Sequence, residues 1–173
     1  MKSISPNAAF NSKHICLEII YFQISNKYIK KIQSSLEKTY GDILNIIMGG
    51  ELEPPKDAYD LQRNQYNADI LLSYLLKIKK TNTALWVIKE DIYCRGMNFV
   101  FGLALRLGGA VLSIHRLSGN DLIEKEANHE VGHILGLQHC SNYCVMQFSN
   151  SLFEAKMKPL YLCESCRRKI TFL

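Results

Sequence analysis

Between Asn128 and Cys140 the chain reads Asn-His-Glu-Val-Gly-His-Ile-Leu-Gly-Leu-Gln-His-Cys, and this stretch restricts the fold more than any other. On a helix of 3.6 residues per turn, His129 and His133 lie one turn apart on one face, so their imidazoles can converge on a single metal ion. Glu130 follows the first histidine and projects beside the metal rather than onto it, which suits a base that takes a proton from water. Gly136, three residues past His133, can adopt positive φ, end the helix and turn the chain back. His139 then reaches the same ion from the far side. Three neutral imidazoles leave the fourth position of a tetrahedral zinc open, which is what separates a catalytic zinc from a structural one. A bare HExxH can arise by chance on an amphipathic helix, whereas the added glycine and third histidine fall where the geometry needs them.

Cys140 follows the third histidine directly, and Cys144, Cys163 and Cys166 complete two close pairs separated by a loop. Pairs so spaced can present four thiolates to a zinc ion; two disulfides are the alternative, favoured only in an exported chain. Cys16 and Cys94 stand alone and read as plain thiols.

The run HEVGHILGLQH resembles the extended zinc signature of the metzincin metalloproteases, and Met146 is placed like the methionine of their Met-turn. The cysteines narrow the resemblance to the archaemetzincins. Cys140 and Cys144 enclose three residues, and Met146 and Cys163 sixteen, each one fewer than in that family. The motifs cover roughly the last quarter of the chain. Upstream the likeness rests on element order and on weaker local similarity such as Gly96-Met97-Asn98-Phe99-Val100-Phe101-Gly102.

That resemblance implies two Zn2+ per chain. A catalytic zinc would sit on His129, His133 and His139 with Glu130 as general base and acid, and a structural zinc on Cys140, Cys144, Cys163 and Cys166. The implied activity is hydrolysis of peptides with narrow specificity, as an endopeptidase or in aminopeptidase fashion. For the latter, Glu51, Glu53 and Asp57 are unranked candidates to hold an α-ammonium. The alternative is a catalytically weak or inactive zinc-stabilised module that binds peptide without cutting it.

Length and charge agree with a single catalytic domain. The chain has 173 residues, 47% of them hydrophobic and 21% charged, with a formal net charge of +5. Such values exclude fibrous and disordered classes. Only Arg167-Arg168-Lys169 is a compact basic run, which reads as the last turn of a helix, so no nucleic-acid partner is expected. The first fifteen residues are polar and lack the apolar core of an export signal. The longest apolar stretch, Phe99 to Ile114, is broken by Arg106 and Gly108-Gly109 and reads as two buried strands rather than a membrane span. A monomeric cytoplasmic protein with a peptide or protein substrate is expected.

In chain order, residues 14 to 25 read as a strand buried on both faces, beginning at His14, taken as a surface histidine. Asn26 is placed to cap a helix ending at Gly41, and a second strand at Ile43 to Met48 closes at Gly49-Gly50. Glu51 to Arg63 reads as an irregular loop, Asn67 to Lys80 as a helix backing the sheet, and Thr83 to Ile88 as a third strand. The order βαβαβ predicts a mostly parallel sheet.

The expected class is α/β (α+β), a metzincin-like twisted mixed sheet with one antiparallel edge strand. A backing helix and a zinc helix flank it, and a small zinc-stapled C-terminal part follows. The resemblance assigns the edge strand over the cleft to Gly109 to His115, with His115 a rim histidine. Glu124 and Glu126 are placed near the start of the zinc helix, favourable to its dipole. Residues 1–136 form the upper part and 137–173 the lower. Phe148 to Met157 and Pro159 to Leu162 would line the primed side of the cleft. Tyr143 and Tyr161 could offer hydroxyls to an oxyanion, although packing beside the metals is the plainer reading.

Overall fold

The apolar run Ile-Cys-Leu-Glu-Ile-Ile-Tyr-Phe becomes β1 (Ile15–Phe22), whose Leu17, Ile19 and Ile20 are all buried. A strand covered on both faces belongs inside a parallel sheet. β1 duly runs parallel to both its neighbours, β2 (Leu44–Glu51) and β5 (Thr83–Ile88). The computed structural model describes residues 15–170; His14 and the polar N-terminal stretch read above for an export signal lie outside the described residues.

Beyond β5 the sheet continues with β8 (Gly109–Ser113), parallel to β5, and ends on β7 (Gly102–Leu105), antiparallel to β8. The order is therefore β2-β1-β5-β8-β7. Two helices, α1 (Asn26–Tyr40) and α3 (Asn120–Ile134), pack on one side. Ile29, Ile32, Leu36 and Tyr40 of α1 and Ile123, Ala127, Val131 and Ile134 of α3 meet Leu17, Ile19, Leu85, Val87, Ala110 and Leu112 there. On the other side α2 (Ala68–Ile78) sets Leu71, Leu72 and Leu75 against Ile20, Trp86, Ile88 and Val111. The expected mixed sheet with its backing helix and zinc helix is present.

The edge strand, however, is not Gly109 to His115. That segment's strand, β8, has all five residues buried between β5 and β7, while β7 is only half-buried, with Leu105 50% exposed. A tight reversal at Arg106–Gly108, with Leu107 at φ +53, folds the chain into a hairpin and puts the earlier strand outside. His115 is exposed beyond the end of β8.

Three local readings also change. β2 does not stop at Gly49-Gly50 but runs through them to Glu51, a bulge at Ile19/Ile20 absorbing the extra residue. Ser25 rather than Asn26 holds the cap position of α1 and makes no side-chain cap bond, so packing of the apolar face carries that helix. The Glu51–Arg63 segment is not wholly irregular. It contains a helical turn at Lys56–Ala58 and β3 (Tyr59–Asp60), which joins β4 (Gln65–Asn67) and β6 (Ile92–Tyr93) in a second, three-stranded sheet.

The lower part carries α4 (Leu152–Met157) and α5 (Glu164–Ile170), whose last turn holds Arg167, Arg168 and Lys169 as expected. Among the described residues it has no core of its own: Leu137, Val145, Met146, Ala155, Leu162 and Ile170 all join the cluster under α1 and α3. Among the described residues no helix is long and apolar enough to cross a membrane.

Candidate active site

α3 forms because Ile123, Ala127, Val131 and Ile134 recur at helical spacing and bury against the sheet, leaving His129 and His133 on another face. Its end is a Schellman motif: Gly136 N–H donates to His133 O at 2.9 Å and Leu137 N–H to Gly132 O at 2.9 Å, with Gly136 at φ +86. The turn brings Leu137 O to 2.8 Å from His133 Nδ1 and sends His139 back over the helix. His129 Nδ1 lies 2.9 Å from Val145 O. In both rings Nδ1–H donates to a backbone carbonyl, so the proton sits there and Nε2 presents a lone pair.

Those lone pairs face each other, Nε2 to Nε2 at 3.0 Å, and the ligand atoms of all three histidines lie within 4.8 Å of one another. Two lone pairs so placed repel unless a cation lies between them. Tetrahedral zinc with Zn–N of about 2.0–2.1 Å would set its nitrogens about 3.3 Å apart, close to what is seen. Burial lowers the pKa of all three rings, most strongly for His129, which favours the neutral form that a ligand needs. Exposure rises from buried His129 through half-buried His133 to exposed His139, so the cluster opens to solvent on one side. Phe148, itself 52% exposed, rests on the His139 ring at 4.8 Å between centroids.

Glu130 is only 5% exposed. Burial, with the nearby Glu126 carboxylate, pushes its pKa up to about 8 against the opposing pull of Lys158. A cation at the histidines would favour the ionised form. Its carboxyl is seated against Gly102, the first residue of β7: a Cβ there would lie 2.6 Å from Oε1 and 2.7 Å from Cγ.

The cysteines form a second cluster, with all four Sγ atoms within 4.8 Å of one another. Cys140 and Cys163 are 3.8 Å apart, far beyond the disulfide length of about 2.05 Å and equal to the roughly 3.8 Å edge of a zinc tetrahedron with Zn–S of about 2.3 Å. All four are free thiols, so the two-disulfide alternative is not what the chain adopts. Burial raises Cys163, but hydrogen bonds from the Cys166 backbone, Asn142 and Cys140 outweigh it and bring its pKa down to about 6. Burial and the neighbouring thiols push Cys166 up.

The two clusters share backbone. His139 and Cys140 are adjacent, and Cys144 precedes Val145, whose carbonyl holds His129. Met146 comes next, fully buried, and its carbonyl accepts from Cys140 N–H at 2.9 Å. Tyr40 closes the gap from α1, donating its hydroxyl to Asn128 O at 2.7 Å.

One buried feature has no counterpart in the sequence reading. Glu126 does not sit exposed at the helix start. It lies in the second turn of α3, 3% exposed at its side chain, and pairs with Lys158 Nζ at 2.8 Å. Lys158 is equally buried and approaches His129 Nδ1 to 3.4 Å. A lysine following Lys156 in a polar stretch gives no periodic signal; Glu126, at i−3 and i−4 from His129 and Glu130, was the available hint.

Other candidates are engaged in contacts of their own. Tyr143 and Tyr161 meet edge to face at 6.1 Å with their rings largely exposed, packing on each other. Glu51 ends β2, at the sheet edge opposite β7, where its carboxylate accepts from Gln23 N–H at 3.2 Å.

Comparison with known proteins points one way. Residues 13–171 match the model of peptidase family M54. An archaemetzincin of Nanoarchaeum equitans is 48% identical over 124 residues, covering 72% of this chain and 73% of that protein. Another, of Archaeoglobus fulgidus, is 40% identical over 164 residues, 88% of this chain and 99% of the relative. The crystal structure of archaemetzincin from Methanopyrus kandleri superimposes with a TM-score of 0.84 at 30% identity, over 95% of this chain and 97% of that one.

Proposed function

The chain belongs to peptidase family M54, the archaemetzincins, and is a zinc metallopeptidase; from that premise we propose the residues and steps by which it works. His129, His133 and His139 hold a catalytic zinc, and Cys140, Cys144, Cys163 and Cys166 hold a structural one, two Zn2+ per chain. Zinc at the histidines, when bound, supplies a Lewis acid that acidifies water and polarises a peptide carbonyl. Glu130 takes the proton from the attacking water and delivers it to the departing amine nitrogen. Val145 O and Leu137 O keep His129 and His133 in the tautomer that offers Nε2. The four thiolates leave no vacancy, so that centre ties Cys140 and Cys144 to Cys163 and Cys166 and braces the lower part, residues 137–173, beside the upper part, residues 1–136. Met146 is the Met-turn methionine between them.

The free side of β7, rather than of β8, is the strand edge to which an extended peptide would add. Such pairing selects extended substrates. Narrow specificity then falls to side chains beside the histidines such as Phe148. The observation that carries the reading is the pair of Nε2 lone pairs at 3.0 Å with both Nδ1 hydrogens committed to carbonyls, next to a buried carboxylate. Metal analysis joined to a peptide-library assay, with free and acetylated N-termini, tests it and separates aminopeptidase from endopeptidase cutting. Glu130→Ala should keep both zincs and lose at least about 1,000-fold in kcat; hydrolysis undiminished by that change would remove Glu130 from the mechanism. A parent protein that binds library peptides with two zincs and cuts none would instead favour the peptide-binding alternative.

A further inference from the structure

We propose that Gly102 is a positioning residue for the general base: the edge strand leaves at this position a gap into which the Glu130 carboxyl fits, and so sets where the base sits. The inference rests on the role of Glu130 proposed above and adds to it a seat formed by another element.

Gly102 is not there to supply an unusual torsion. Among the described glycines positive φ occurs at Gly50, Gly96, Gly119 and Gly136, and Gly102 is not one of them. Its backbone is ordinary strand, paired with Leu112 of β8. A glycine in a strand that needs no unusual torsion marks a close approach. Here the approaching group is the carboxyl of Glu130, whose Oε1, Cγ and Cδ all fall inside the space a Cβ would take.

The strand cannot simply retreat from a methyl group. Ser113 N–H donates to Phe101 O at 2.8 Å, holding the chain just before Gly102 on β8. The segment leading in is pinned as well. Arg63 Nη2 donates to Met97 O and Asn98 O, each at 3.1 Å, and Gln65 Nε2 donates to Asn98 O at 2.9 Å. Gln65 also donates to Asp91, which forms a two-pronged ion pair with Arg116 at 2.8 and 2.7 Å. The Arg116 guanidinium in turn lies 4.2 Å over the Phe99 ring. With the backbone fixed from both sides, the side chain that must yield is Glu130. A displacement of the order of 1 Å in a catalytic group costs about 100-fold in rate.

A two-by-two cycle tests this: parent, Gly102→Ala, Glu130→Asp and the double variant. Aspartate is one methylene shorter and withdraws from the space a Cβ would take. Gly102→Ala is expected to lower kcat about 100-fold when Glu130 is intact, with KM changed less than about threefold, and to change kcat less than about threefold in the Glu130→Asp background. The melting temperatures of the zinc-loaded proteins follow the same pattern: Gly102→Ala lowers it by about 5 °C with glutamate present and by no more than about 1 °C with aspartate. That arm reads the seat even if Gly102→Ala folds too poorly to assay or if no activity is found. An equal loss in both backgrounds, in rate and in melting, would overturn the proposal, since the methyl group would then act on the strand or the substrate. Failure of the underlying role looks different: Glu130→Asp and Glu130→Ala would both cut peptides as the parent does, whatever residue stands at 102.

Discussion

The histidine and cysteine clusters are built on almost the same backbone, yet one is open and the other closed. Both gather their ligand atoms within 4.8 Å. The histidines rise from a buried helix toward solvent and have three donors, with Glu130 at the side. The cysteines have four, two of them buried, and one of these, Cys166, is carried by α5. One donor more turns a centre that can do chemistry into one that can only hold the chain together. The described residues of the lower part have no separate core, which explains why it needs that holding.

The contrast implies that dependence runs one way. His139 is fixed by its neighbour Cys140, and the carbonyl that orients His129 belongs to Val145, next to Cys144. Loss of the cysteine centre should therefore dissolve the histidine centre, while the reverse should not occur. Cys166→Ser is the largest expected effect, because structural zinc in small domains contributes on the order of 10 kcal/mol to folding. Zinc should fall from two per chain to below one, and residues 137–173 should become open to proteolysis. His133→Ala should abolish hydrolysis and remove a single zinc, with a far smaller fall in melting temperature. Equal damage to folding from both variants would break the asymmetry.

Next in size is the buried ion pair that joins the lower part to α3. Removing one partner of such a pair leaves an uncompensated charge and costs about 3–5 kcal/mol, whereas apolar replacement of both can be neutral. Lys158→Met alone should thus destabilise by about that amount in urea unfolding, and adding Glu126→Leu should restore most of it. If the restored protein still cuts peptides at the parental rate, the pair is only a clasp. A stable double variant with kcat reduced would show that the charge beside His129 and Glu130 serves the open centre.

Why the sequence disclosed the ligands and not their supports follows from the physics of each. Metal ligands at i, i+4 and i+10 of a helix and its turn are set by short-range geometry, so His129, His133 and His139 could be read directly, as could Gly136 at the turn. Buried strands announce themselves by apolar runs, and β1 and β5 did. Which of two apolar strands lies at the edge depends on a hairpin whose reversal rests on Leu107 at φ +53, a residue with no turn signature. Gly102 stood out only as the end of the Gly96–Gly102 run, because the side chain that approaches it comes from 28 positions further along the chain. Lys158 and Glu126 meet across 32 positions of chain, and no local pattern marks a lysine that will be buried.

The smallest effect tests whether the spacer between the two centres is rigid. Gly132 faces Met146 inside α3: an added Cβ would run into the thioether sulfur and come within 3.0 Å of Met146 Cε and 3.1 Å of the Tyr40 hydroxyl. Alanine gains about 1 kcal/mol over glycine in a helix interior, and overpacking costs about 1–3 kcal/mol. Gly132→Ala should therefore be destabilising by about 1 kcal/mol net, the sign depending on whether Met146 can move. Met146 is fully buried, and its carbonyl is committed to Cys140 N–H, so its freedom is small. Any shift it does make pulls on Val145, the residue that orients His129. A variant more stable than the parent, with unchanged kcat and zinc content, would mean that the methionine repacks freely and that the two centres are joined by a softer link than the shared backbone suggests.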